Sequence, residues 1–322
     1  MKKNFNKDDY RIDNAITKVI IDTDPGVDDI ACLSYAFFDE NVEIKLLTTV
    51  AGNVNVNLTT RNLLHILDVY DLDIPVAKGA SRALKRISPT AEDIHKKNGM
   101  GGYVPPKTTK RKVIDKDAVE AMYDVLINGE GDIVPVMLGP QTNLGKLLVK
   151  HPDVIKKIPK IVVMGGSPFG HPDYPDHISF NISSDPEAFK IVLESKIPIL
   201  LIPSNIGRYK AHLSEEFVYS LSQYGDIGKF LCTAYTGYWE PKAPDKRVTT
   251  NDSCALLALI YPKMFKTEKV SVVVDTEKAL GKTHITFDGV GHIDMVTDVD
   301  REIFLEFLVS ELKSFMHIKT NI

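Results

Sequence analysis

What most limits how this chain can fold is an alternation: short apolar runs of strand length, most of them followed by a segment of helical periodicity. The runs are "KVIID" from Lys18, "VEIKLLTTV" from Val42, "IPVA" from Ile74, "IVPVMLG" from Ile133, "KIVVMGG" from Lys160 and "IPILLIPSN" from Ile197. They lack the strict polar alternation of a half-wet strand, so they fit strands covered by helices on both faces. Helical patterns lie between most of them: "DDIACLSYAFF", "NLTTRNLLHILDVY", "DAVEAMYDVLIN", "TNLGKLLVK" and "DPEAFKIVLES". The order predicts an α/β fold with a mostly parallel sheet flanked by helices. From about Leu213 to Tyr261 the pattern reads as mostly helical. Three further strand-like runs and the amphipathic "DREIFLEFLVSELKSF" close the chain. Residues 1–17 read as a polar leader and residues 18–322 as one domain. The segment "SPTAEDIHKKNGMGGYVPPKTTKRK" is the longest polar connection and the candidate mobile loop.

Composition narrows the partners. With 43% hydrophobic residues in 322, the chain can bury a large core. A net charge of −4, with no basic block carrying interleaved aromatics, argues against nucleic acid. The start resembles no signal sequence, and no run of about 18 apolar residues offers a membrane span, so the expectation is a soluble cytoplasmic protein. Cys32, Cys232 and Cys254 have no CxxC spacing and read as buried, reduced thiols.

The chemistry concentrates at "DTDPGVDD", where Asp22, Asp24, Asp28 and Asp29 follow the first strand. Open α/β sheets place ligands at that end of their strands. Capping the next helix accounts for one or two carboxylates. Four in one turn repel and raise one another's pKa, which calls for a counterion. All-oxygen ligation points to Ca²⁺ or Mg²⁺ and away from zinc. Asn53, Thr142, Asn143, Asn181 and Asp252 follow other strands or start helices, so the sheet can bring them to the same end.

With these residues in view, the chain resembles the nucleoside hydrolases, the inosine-uridine-preferring N-ribohydrolases. The likeness runs from about Val19 to at least Ala258 through "DTDPGVDD", "VAGN", "LGPQTN", "MGG", "FNISSDPEA" and "NDSCALLAL", in the family's order. It implies Ca²⁺-dependent hydrolysis of the N-glycosidic bond of a ribonucleoside. By it, Asp24, Asp29, the Thr142 carbonyl and Asp252 hold Ca²⁺, and Asp24 also acts on the attacking water. Asp28, Asn53 and Asn181 grip the ribose hydroxyls, and Asp22 supports the site from behind. A homo-oligomer is a further implication.

This sequence departs from the family elsewhere. The residue before the late Asp ligand is often His and is here Asn251, which cannot act as a general acid. His95, in "EDIHKKNGMGG", matches a family loop near the base and is the candidate base contact. Ser179 and Asp173 stand where a Glu and an Asn hold the 5′-hydroxyl, and a family Asp is Asn205. Tyr235, Tyr238 and Trp239 are candidates to stack on a base. The departures leave a second reading open, a catalytically weakened homologue that binds a ribosyl ligand. An aspartyl phosphatase would also open with DxD, but Gly26 occupies its next signature position and Asp28 and Asp29 have no use in that chemistry.

Overall fold

Strand β1 (Thr17–Thr23) runs through the interior of the sheet and is buried from Val19 onward, which is why its sequence carries no polar alternation. The computed structural model describes residues 5–168, 178–239 and 246–321. Alternate β1 side chains feed two cores, with Val19 and Ile21 in one and Ile20 in the other. The chain continues through α1 (Val27–Phe38), β2 (Val42–Thr49), α2 (Val56–Tyr70), β3 (Val76–Lys78), the short α3 (Glu92–His95), α4 (Ala118–Ile127), β4 (Ile133–Met137), α5 (Thr142–Lys150) and β5 (Ile161–Met164). After it come α6 (Phe180–Ser184), α7 (Pro186–Glu194), β6 (Ile199–Ile202), β7 (Leu213–Ser214), α8 (Glu215–Ser220), α9 (Gly225–Tyr235) and β8 (Arg247–Val248). The last elements are α10 (Asn251–Ile260), β9 (Phe265–Val274), β10 (Thr283–Thr286), β11 (Ile293–Val299) and α11 (Arg301–Phe315).

The main sheet has the order β10-β9-β11-β6-β5-β4-β1-β2-β3, parallel from β3 to β11 and antiparallel at β9 and β10. This is the helix-flanked α/β architecture expected from the alternation. Strand order changes direction at β1, which pairs with β2 on one side and β4 on the other. Such a switch point opens a crevice at the carboxyl ends of the strands. The two-stranded ribbon of β7 and β8 lies within the region read as helical. No helix among the described residues is long and apolar enough to cross a membrane.

Two segments are held more firmly than their polarity implies. From Phe5 the leader belongs to the folded unit: Phe5 stacks on Tyr10 and meets Phe307 edge-on. Lys7 forms ion pairs with Asp39 (3.3 Å) and Glu311 (3.1 Å), and Arg11 bonds the Asn41 side chain. The polar residues of this stretch therefore reach inward to polar groups on α11 and on the turn between α1 and β2. The connection around Asn98 is likewise strapped down. The Asn98 carbonyl accepts from Asn62 Nδ2 at 2.9 Å, the Ala234 carbonyl accepts from Gly102 N at 3.2 Å, and Met100 is fully buried.

The docked leader has a pH signature. Burial pushes the Glu311 carboxyl up to about 7, partly offset by Lys7. Between about pH 4.5 and 7 the folded chain keeps a proton that the unfolded chain has lost, so stability falls as pH rises through that window. Glu311→Gln should flatten that part of a stability profile, removing a slope of up to about 1.4 kcal/mol per pH unit. Chemical denaturation at pH 5, 6 and 7 checks it; an unchanged slope would assign the dependence to another group.

Candidate active site

The acidic turn forms because β1 ends deep in the sheet and Pro25-Gly26 redirects the chain into α1. Asp22 still belongs to the strand and points to the face that carries Ile20. There its Oδ1 accepts from the Thr48 hydroxyl and from Asn143 Nδ2 at 2.7 Å. Asn143 is fixed in turn by Ala80 N (2.9 Å) and the Thr49 carbonyl (3.0 Å). Asp29 caps its own helix, with Oδ2 accepting from Gly26 N at 2.9 Å and Oδ1 from the Thr23 hydroxyl. Asp24 Oδ2 accepts from Asn53 N at 2.7 Å, while Asn53 Nδ2 donates to the Asp24 carbonyl (3.1 Å) and to Asp29 (3.3 Å).

Above this turn lies a cavity lined by Asp24, Asp28, Asn53, His95, Leu138, Met164, Ser179, Phe180, Asn181, Ser204, Arg208, Tyr238, Asn251 and Asp252, together with Ala91 and Ile94. The ends of β1, β4, β5 and β6 and the starts of α6 and α10 converge there. Asn181 Nδ2 donates to the Leu138 carbonyl at 2.5 Å and to the Met164 carbonyl at 3.2 Å, tying α6 to β4 and β5. His95 takes the Val27 N–H on Nδ1 at 3.1 Å, so its Nε2 carries the ring proton. Its ring packs on Tyr238 at 4.8 Å.

Electrostatics at the cavity floor demand positive charge. Asp22, Asp24, Asp29 and Asp252 are almost completely buried, and Asp28 is 6% exposed. Burial followed by Asp29 drives Asp28 up to about 8, and the same pair of causes holds Asp24 well above the carboxylate range. Burial and then Asp28, Asp29 and Asp24 raise Asp252, whose carboxyl is within hydrogen-bonding reach of Asp29. Burial lifts Asp22 to about 6 against the opposing bonds from Thr48 and Asn143. Asp28, Asp29 and Asp252 each offer a carboxylate oxygen within 4.8 Å of the others. This hard, all-oxygen, mutually repelling set fits a divalent cation.

The structure therefore brings together Asp24, Asp28, Asn53, His95, Ser179, Asn181, Asn251 and Asp252, with Asp29 directly beneath them. Thr142 is not brought there. It opens α5, where its carbonyl points along the helix, and its hydroxyl donates to Asp185 Oδ2 at 2.7 Å. Leu138, four residues earlier and directly after β4, lines the cavity instead, and its carbonyl accepts from Asn181, another lining residue. Asp173 lies outside the described residues. Of the three candidate stacking aromatics only Tyr238 lines the cavity; Tyr235 is core and Trp239 packs on Tyr219. Cys32 and Cys254 are buried and Cys232 half-buried, all unpaired. Sequence reasoning missed Arg208, Ser204, Met164 and Phe180. Arg208 had a signal: it stands three residues after Asn205, in the stretch that leaves β6 at the ligand end of the sheet.

One close approach is testable. The Gly52 backbone passes so near the Asp24 carboxylate that a Cβ at position 52 would overlap Oδ2. Gly52→Ala should displace Asp24, and a shift of about 1 Å at a group that takes part in a reaction costs about 10²-fold in rate. Steady-state kinetics alongside a melting curve check it; turnover within threefold of wild type would mean that Asp24 tolerates the shift.

Known proteins resemble this chain over most of its length. The profile described as "Inosine-uridine preferring nucleoside hydrolase" matches residues 19–306. A non-specific ribonucleoside hydrolase RihC of Salmonella enteritidis is 35% identical over 273 residues, 84% of this chain and 88% of that protein. The RihC of Klebsiella pneumoniae (strain ATCC 700721 / MGH 78578) is 32% identical over 292 residues, 89% of this chain and 95% of that one. Among solved structures, a plant nucleoside hydrolase superposes with a TM-score of 0.85 at 27% identity, covering 93% of this chain and 99% of that one. The purine-preferring ribonucleoside hydrolase of Gardnerella vaginalis gives 0.84 at 29% identity, covering 92% and 100%.

Proposed function

Because this chain belongs to the inosine-uridine preferring nucleoside hydrolase family and is a ribonucleoside N-glycosyl hydrolase, we propose that it works through Asp24 and a Ca²⁺ ion at the floor of the cavity. The observation that carries this reading is the set of buried carboxylates beneath a cavity at the sheet's switch point.

In this proposal Asp29 and Asp252 would hold the cation. Asp24, whose Oδ1 lies close over Gly139, and the Leu138 carbonyl complete the protein ligands, in place of the Thr142 carbonyl. When bound, the cation orients the attacking water and lowers its pKa. Asp24 accepts the proton that this water loses as it attacks the anomeric carbon. Asp28, Asn53 and Asn181 face the sugar and bind its hydroxyls, spending binding energy on orienting the ring. Fixed anions under the ribose favour the cationic character that develops there, with no reorganisation during the reaction. His95 keeps its proton on Nε2 as a neutral hydrogen-bond donor. Burial lowers its pKa to about 3, so it does not protonate a departing base near neutral pH. Ser179, which leads into α6, faces the sugar's far end.

Incubating the protein with inosine, uridine, adenosine or cytidine and Ca²⁺ should release free base and ribose. In ¹⁸O-water, one labelled oxygen should enter ribose at C1. Tight binding of ribosyl compounds with no base released would overturn the catalytic reading and favour a ribosyl-binding homologue.

A further inference from the structure

Resting on the hydrolase reading above, we propose that Arg208 contacts the leaving nucleobase, takes up the negative charge that develops on it, and so favours bases that leave as oxo-stabilised anions. Two observations carry this. Arg208 is the only Lys or Arg among the described residues that line the cavity. It sits on the turn after β6 (Ile206–Lys210), whose Gly207 lies against the Asn251 backbone and side chain at the head of α10. The guanidinium thus belongs to the wall that holds Asn251 and Ser204, beside the acids read as holding the sugar.

The chemistry of the site requires something at that place. Water forms the C1′–O bond while the C1′–N electron pair leaves on the base. The water's proton passes to Asp24, and the base takes its own proton from solvent after departure. Asn251 has no ionisable proton to give, and His95 is neutral, with its Nδ1 occupied by Val27 N–H. The base therefore departs carrying negative charge, and a guanidinium is a fixed cation that cannot itself be deprotonated. It has five donors and no acceptor, so it matches carbonyl oxygens and ring nitrogens and mismatches exocyclic amines. Hypoxanthine offers the O6/N7 edge that Arg pairs bidentately and uracil a carbonyl at O4, whereas adenine and cytosine put an amino group at the corresponding position, which leaves N7 alone, or O2 and N3, to accept.

The test measures kcat/KM of wild type, Arg208→Met and Arg208→Lys on inosine, uridine, adenosine, cytidine and 4-nitrophenyl β-ribofuranoside. The last has a leaving group acidic enough to need no help. Wild type should favour inosine and uridine over adenosine and cytidine by at least about tenfold. Arg208→Met should lose about 10–100-fold on the oxo pair and at least about tenfold less on the other three substrates. Arg208→Lys should fall between, keeping charge without the planar fork, and it carries the comparison if the Met variant does not fold. Equal losses on all five substrates, or a wild type with no oxo preference, would overturn this inference while leaving the hydrolase reading intact. A wild type that cleaves none of the five would overturn both.

Discussion

Asp24→Asn should lower kcat for ribonucleoside cleavage by about 10²–10⁴-fold, the range contributed by a positioned general base. The substitution is nearly isosteric, so the bond from Asn53 N has an oxygen to meet and the Gly52 and Gly139 backbones keep their clearance. It also removes one member of a buried, mutually repelling set, so the cation-free protein should melt at the same temperature or higher. Kinetics in saturating Ca²⁺ separate a lost base from a lost ligand. If raising the cation concentration restores turnover, Asp24 acts through cation binding alone. If turnover stays within tenfold of wild type at any concentration, the base is another residue.

Removing divalent cations should abolish turnover and lower the melting temperature, and adding Ca²⁺ should restore both. A ligand present at a hundred times its Kd and bound only to the folded state contributes about 2.7 kcal/mol, roughly 4 °C for a chain of this size. The repelling acids give the effect a definite pH dependence. Asp28, Asp24, Asp29 and Asp252 all have raised pKa values in the cation-free protein, Asp28 to about 8, so cation binding must expel protons. Affinity should therefore rise with pH across the range in which these carboxyls give up their protons. Titration calorimetry in buffers of different ionisation enthalpy should show net proton release. Full activity after exhaustive chelation would remove the cation from the reaction, and a preference for Mg²⁺ over Ca²⁺ would reassign it.

How far the sequence could be read depended on the range of the interaction concerned. "DTDPGVDD" is local: a buried strand, a Pro-Gly turn and a helix start fix where four carboxylates go before any partner is known. Asn53, Asn181 and Asp252 were within reach because each stands at a strand end or helix start, and a parallel sheet gathers those ends on one side. Thr142 was the exception, since "LGPQTN" does not reveal at which residue the chain leaves the sheet and enters α5. That choice decides whether a carbonyl faces the cavity or closes a helical turn. The leader read as a polar segment apart from the domain, and the loop around Asn98 as a mobile connection, because their polar groups have no partner nearby in sequence. Their partners, Asp39 and Glu311 for Lys7 and Asn62 for Asn98, come from distant elements.

The sequence by itself determined the strand-helix alternation and the crowding of four carboxylates into one turn, because periodicity and charge density are properties of short segments. Only the tertiary structure decided that Asp22 turns away onto Thr48 and Asn143, that His95 is held neutral against Val27, and that Arg208 reaches the same cavity as Asp28. Those outcomes depend on which face of a strand meets which helix and on how deeply each group is buried. Both are set by packing between residues far apart in the chain.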